Sequence, residues 1–152
     1  VAGLLAIAQG LARNASLWPE MGRPVRRTWA LMASSDDFEA WLVAWPPGGA
    51  IELHDHGDAA GALVVASGEL VETSITRGDG GPVRPATAVV RTGESLVFGA
   101  EHVHDVVNAA RAPALSVHVY APRLTSMTFY EIVGARLEPS RVVNYRLGEA
   151  IP

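Results

Sequence analysis

Histidine occurs at positions 54, 56, 102, 104 and 118, and cysteine nowhere in the 152 residues. Without Cys there is no thiolate zinc site, iron–sulfur cluster, disulfide or nucleophilic thiol. Any metal must therefore be held by His, Asp or Glu. Along a β-strand, residues two apart project from one face. His54 and His56 thus project together, and His102 and His104 do so wherever their segment is extended. Two such strands can bring three imidazoles around one ion, and neutral imidazole suits iron, zinc, copper or nickel. A His-x-His pair also arises by chance in β-rich proteins, so the pair by itself does not establish a site.

A second pattern is Ser116-x-His118-x-Tyr120. The three polar side chains share a strand face, and Leu115, Val117 and Val119 cover the other. On an inward face such groups are costly unless they bond one another, and a Ser–His–Tyr relay ending at the metal would satisfy them. On an outward face they would be a solvated polar strip. A serine-hydrolase triad fits less well, because residues spaced along one strand do not set an attacking Ser against its base. Paired carboxylates for glycoside chemistry are not evident. Glu69 and Glu72 lie in a hairpin and read as solvated. Trp41, Val43 and Trp45 read as sheet core, Met127 and Tyr130 as residues that close the barrel, with Tyr130 able to rim a pocket.

The elements that carry these residues are legible from pattern. Leu4, Ile7, Ala8 and Leu11 recur at helical spacing, and Asn14, Ser16 and Pro19 break it, which predicts one amphipathic helix over about 2–14. From Arg27 onward, runs rich in Val, Leu, Thr and aromatics alternate with turn signals at 46–49, 57–58, 67–68, 78–81, 92–93 and 111–113. Strands are expected near 27–33, 38–45, 50–56, 62–67, 70–76, 84–91, 95–98, 104–108, 114–121, 127–133 and 141–147. Parallel sheets need crossover helices, so this order implies an all-β antiparallel sandwich or barrel in one domain spanning 1–152, with the barrel over about 27–147.

Hydrophobic residues make up 49% and charged residues 18%, which excludes a disordered chain. A formal charge of −4, with all twelve cations arginine, argues against nucleic-acid or membrane partners. The apolar run from Val1 to Ala8 is far short of the roughly twenty residues of a membrane span. It also lacks the basic flank of a signal peptide, and the cytoplasm is the expected location.

From Gly48 the chain reads Gly, five residues, His54-Asp55-His56, four residues, Gly61, six residues, Gly68. From Gly93 it reads Gly, five residues, Gly99, x, Glu101, two residues, His104, three residues, Asn108. These strings resemble the two motifs of the cupin superfamily, in which a Glu usually stands at the place of Gly61, and a Pro and a Gly at those of Gly99 and Glu101. The resemblance implies a cupin double-stranded β-helix, a small antiparallel jelly-roll barrel, with His54, His56 and His104 as metal ligands and His102 as a solvent-exposed neighbour on the mouth loop. The strings HDHGDAAGALVVASGELVET, HVHDVVN and above all SVHVYAP further resemble the cysteine dioxygenase-like thiol dioxygenases, over about Trp41 to Tyr130.

That likeness implies Fe(II) as cofactor and a reaction in which a small aliphatic thiol and O2 give the sulfinic acid. Tyr120, oriented by His118 and Ser116, would donate a hydrogen bond to the bound substrate or oxygen. Some family members carry a Cys at the place of Gly61 and link it to the tyrosine; here Tyr120 stays a free phenol. The family's carboxylate-binding Arg has its expected place, counted back from Trp41, near Leu31 or Met32, and Arg26 and Arg27 are the nearest candidates for substrate binding. A weak clamp predicts a flat profile, with cysteamine or 3-mercaptopropionate within about tenfold of cysteine. The rival readings are a metal-binding cupin without oxygenase activity, a sensor or a zinc or nickel isomerase or hydrolase, and a dioxygenase acting at carbon. Oligomeric state leaves no mark in the sequence.

Overall fold

The computed structural model describes residues 2–21, 24–76 and 82–146. Among them one helix, α1 (Ala2–Arg13), precedes a 3-10 turn (Ala15–Leu17) and eleven strands. The strands are β1 (Thr28–Ser34), β2 (Glu39–Trp45), β3 (Ala50–His54), β4 (Ala60–Ser67), β5 (Glu69–Thr76), β6 (Arg84–Arg91), β7 (Ser95–Phe98), β8 (Val103–Val107), β9 (Ala114–Ala121), β10 (Ser126–Val133) and β11 (Arg136–Asn144). They form two antiparallel sheets, ordered β1-β2-β9-β4-β7 and β11-β10-β3-β8-β5-β6. Every predicted strand is present. The turn expected at 78–81 lies outside the described residues, and the last strand, expected to reach 147, ends at Asn144.

The two sheets face each other, and strand alternation sorts the side chains. Trp41, Val43 and Trp45 of β2, with Leu63 and Val65 of β4, meet Ile51, Leu70, Val106, Met127 and Phe129 of the other sheet. The intervening Leu42, Ala62, Val64, Val117 and Val119 point outward and are covered by Ala8 and Ala12 of α1, with Leu4, Ile7 and Leu11 packed around them. β2, β4 and β9 therefore read as nearly continuous apolar runs because both of their faces are buried. Burying each Leu or Val contributes about 1.5–3 kcal/mol, so α1 is bound by its apolar face. The helix ends at Arg13, where the Leu11 carbonyl accepts from the Asn14 N–H at 3.3 Å and from Trp18 Nε1 at 2.9 Å.

Several boundaries differ from expectation, and two of them have a clear local cause. β11 begins at Arg136, five residues earlier than predicted, because Gly134 and Ala135 make a tight turn with φ of 54° and 66°. Pro139 lies inside β11, but β11 is an edge strand, where a missing N–H is tolerated, and the pairing shifts register beside it. β3 ends at His54, not at 56. There Asp55 Oδ1 accepts from the backbone N–H of Gly57 and Thr128 at 3.1 and 3.0 Å, and Gly57 takes φ of 57°, a conformation glycine adopts without strain. No helix among the described residues is long and apolar enough to cross a membrane.

Candidate metal centre

His54, at the end of β3, pairs directly with His104 on β8, and His56 follows on the turn. All three are buried, and one ring nitrogen from each lies within 4.8 Å of the others. Hydrogen bonds settle which nitrogens are available. His54 Nδ1–H donates to the Glu52 carbonyl at 2.8 Å, and His104 Nδ1–H donates to Glu72 Oε1 at 2.7 Å. Both rings thus carry a bare Nε2. Among the described residues neither ring nitrogen of His56 has a hydrogen-bond partner although both are buried, a cost that coordination of an ion would relieve. Burial, helped by the neighbouring imidazoles and at His104 opposed by the bond to Glu72, holds the three pKa values below that of free histidine, so the rings are neutral and able to ligate at pH 7. This donor set fits a divalent transition metal.

Glu72 is a correction to the sequence reading. It is buried, not solvated, because on β5 it follows Leu70 by two and faces the core. Its Oε1 accepts from both His104 Nδ1 and His102 Nε2, the latter at 2.9 Å. Burial opposes its ionisation, but the bonds from His102 and His104 outweigh that and bring its pKa to about 2. His102 is accordingly half-buried and tied to Glu72, not a free loop imidazole. A buried acid on an alternating apolar face was the signal available for Glu72. Glu72→Gln should keep the fold but lower metal affinity about 10- to 100-fold, since a neutral amide orients His104 less firmly. Competition against a chromophoric chelator measures this, and unchanged affinity would reduce Glu72 to packing.

Beside the histidines lies a small, partly open cavity lined among others by His54, His104, His118, Tyr120, Met127, Trp45 and Arg27. The relay is present: Ser116 Oγ lies 2.8 Å from His118 Nε2, and His118 Nδ1 lies 3.2 Å from Tyr120 Oη. Burial brings the His118 pKa to about 3 and raises that of Tyr120, so imidazole and phenol are both neutral. Tyr130 belongs to a different network, its hydroxyl donating to Asp55 Oδ2 at 2.6 Å.

Arg27 enters the cavity and Arg26 is exposed. The Arg27 guanidinium lies 5.1 Å from the Trp29 ring centre and 5.2 Å from that of Trp45. Burial lowers its pKa to about 10, so it remains charged at neutral pH. Counting back from Trp41 reaches Leu31, which does stand opposite it, but Arg27 lies further back along the chain, just before β1. Leu31, opposite Trp41, is exposed, whereas Arg27 and Trp29 share the cavity face.

Gly61, where cupins usually place an acid, faces Phe98. A Cβ there would overlap Cε2 and Cζ of the Phe98 ring and lie 3.2 Å from Tyr120 Cδ1. Phe98 stacks on His56, with centroids 4.7 Å apart and planes at 24°, and fills the space of a fourth side chain.

The family model described as cysteine dioxygenase type I matches residues 4–132. Among solved structures, the protein TT1209 from Thermus thermophilus is 26% identical with a TM-score of 0.56, the match covering 66% of this chain and 88% of that one. An uncharacterised double-stranded β-helix protein from Klebsiella pneumoniae is 21% identical, with a TM-score of 0.57 and 71% and 84% covered. An oxalate oxidase in complex with the substrate analogue glycolate is 20% identical, with a TM-score of 0.61 and 76% and 60% covered. The latter two show the fold alone. With the family match running from within α1 through β10, across every residue of the imidazole cluster and the relay, the chain belongs to the cysteine dioxygenase type I family of cupins.

Proposed function

We propose that the protein is a non-haem iron(II) thiol dioxygenase that converts a small carboxylate-bearing thiol, such as cysteine or 3-mercaptopropionate, to its sulfinic acid. The observation that carries this reading is one small cavity that joins two of the three clustered imidazoles, His54 and His104, to a phenol and a charged guanidinium, with His56 completing the cluster behind them. His54, His56 and His104 would hold the iron, which when bound acidifies a thiol and activates O2 beside it. Arg27 offers a planar fork to a carboxylate and anchors the far end of the substrate. Tyr120 donates a hydrogen bond toward the reacting sulfur and oxygen. RSH and O2 sum to RSO2H, so no further reductant is required.

Anaerobic loading with iron(II), followed by oxygen uptake with cysteine, 3-mercaptopropionate, mercaptosuccinate and cysteamine, tests the proposal. Uptake should require both iron and thiol and should favour the carboxylates. Stoichiometric iron without thiol-dependent uptake would instead support a metal-binding cupin without oxygenase activity. Tyr120→Phe should retain iron and lose about 10- to 100-fold in turnover, because it removes a donor outside the metal's own ligands. Steady-state oxygen uptake by the iron-loaded variant checks this, and unchanged turnover would remove Tyr120 from the mechanism.

A further inference from the structure

The polarity of the Ser–His–Tyr relay does not follow from its three members. Read one way, Ser116 O–H donates to His118 Nε2, and His118 Nδ1–H donates to Tyr120 Oη. Read the other way, Tyr120 O–H donates to His118 Nδ1, and His118 Nε2–H donates to Ser116. Both directions make the same two bonds, but only the first leaves the phenolic hydrogen free for the cavity.

Trp45 breaks this degeneracy. Its Nε1 lies 2.8 Å from Ser116 Oγ, and an indole N–H donates and never accepts. Ser116 is fully buried, and among the described residues its hydroxyl partners are Trp45 Nε1 and His118 Nε2. Having accepted from Trp45, the hydroxyl has one place for its own proton, His118 Nε2. The reverse direction would leave that proton buried without an acceptor. With Nε2 accepting and the ring neutral, the His118 proton sits on Nδ1, aimed at Tyr120 Oη.

We propose that Trp45 is a positioning residue that, by donating to Ser116, fixes the tautomer of His118 and thereby turns the Tyr120 hydroxyl hydrogen into the cavity. Its consequence for turnover rests on the dioxygenase reading; the tautomer does not. The same indole also lies under Arg27, so one side chain supports both the carboxylate anchor and the relay.

Long-range proton–nitrogen correlation spectra of the zinc-loaded, nitrogen-15 histidine-labelled protein read the tautomer directly, with His118→Asn to assign the signals. A single Nδ1–H tautomer is expected for His118. Trp45→Phe, which keeps a ring under Arg27, should populate both tautomers, leave zinc affinity unchanged and lower kcat of the iron form about tenfold. Should that variant not fold, Ser116→Ala should release the tautomer and Ser116→Thr should retain it. An Nε2–H tautomer in the unaltered protein, or a tautomer unmoved by Trp45→Phe or Ser116→Ala, overturns the proposal. The spectra need neither thiol nor oxygen, so a protein that shows the expected tautomers yet oxidises no thiol sinks the dioxygenase reading alone.

Discussion

His54→Ala, His56→Ala and His104→Ala should each abolish stoichiometric metal binding and with it any thiol-dependent oxygen uptake, whereas His102→Ala should keep the metal at close to one equivalent. The expectation follows from where the nitrogens point. His54 and His104 commit Nδ1 to a carbonyl and a carboxylate and present Nε2 to one another, and His56 completes the set with two buried nitrogens bonded to nothing. Two imidazoles remain after any one substitution, and Phe98 occupies the space from which residue 61 could supply a substitute ligand. His102 commits Nε2 to Glu72 and is half-exposed, so its removal costs Glu72 one donor while His104 keeps its own. Metal analysis after identical anaerobic loading decides the matter. Iron lost from His102→Ala but kept by His104→Ala would mean that the centre is built around Glu72 and His102.

Arg27→Ala should lower kcat/KM for cysteine and 3-mercaptopropionate about a hundredfold while changing that for cysteamine only a few-fold. Removing one partner of a hydrogen-bonded charge pair costs about 2–5 kcal/mol, and a half-exposed guanidinium belongs to the lower part of that range. At about 1.4 kcal/mol per decade, about 3 kcal/mol is a little over a hundredfold. Arg27→Lys should recover part of the loss, because it restores charge but not the planar fork. Arg26→Ala should change nothing, since Arg26 is exposed. These measurements decide between a clamped cavity and the flat substrate profile expected from sequence. Equal losses on all thiols in Arg27→Ala would make the arginine a structural prop between Trp29 and Trp45.

Strand placement and the contents of each strand face were legible because the period of two is a local property of the chain. Ser116, His118 and Tyr120 fell inward, and Val117 and Val119 outward, as alternation requires. The resemblance of the segments around His54-x-His56 and from Gly93 to His104 to the cupin motifs named three imidazoles, which the structure brings together. Local reading failed where the phase breaks or where the decisive neighbour is distant. His56 lies on a turn beyond β3, and Asp55, held by Thr128 73 residues away, shapes that turn. Arg27 lies just before β1, outside the strand on which counting back from Trp41 lands.

The sequence by itself therefore determined the class of fold, the strands, the metal-ligating residue types and the order Ser–His–Tyr, all of which follow from periodicity and spacing along the chain. Only the tertiary structure decided that Glu72 is buried beneath His102 and His104, that Arg27 rather than Arg26 enters the cavity, that Phe98 fills the space beside Gly61, and that Trp45 donates to Ser116. Each of these joins residues 30 to 71 positions apart or turns on which side chain just before β1 faces inward. Their energies come from desolvation and from hydrogen bonds that exist only once the sheets have closed, so no window along the chain contains them.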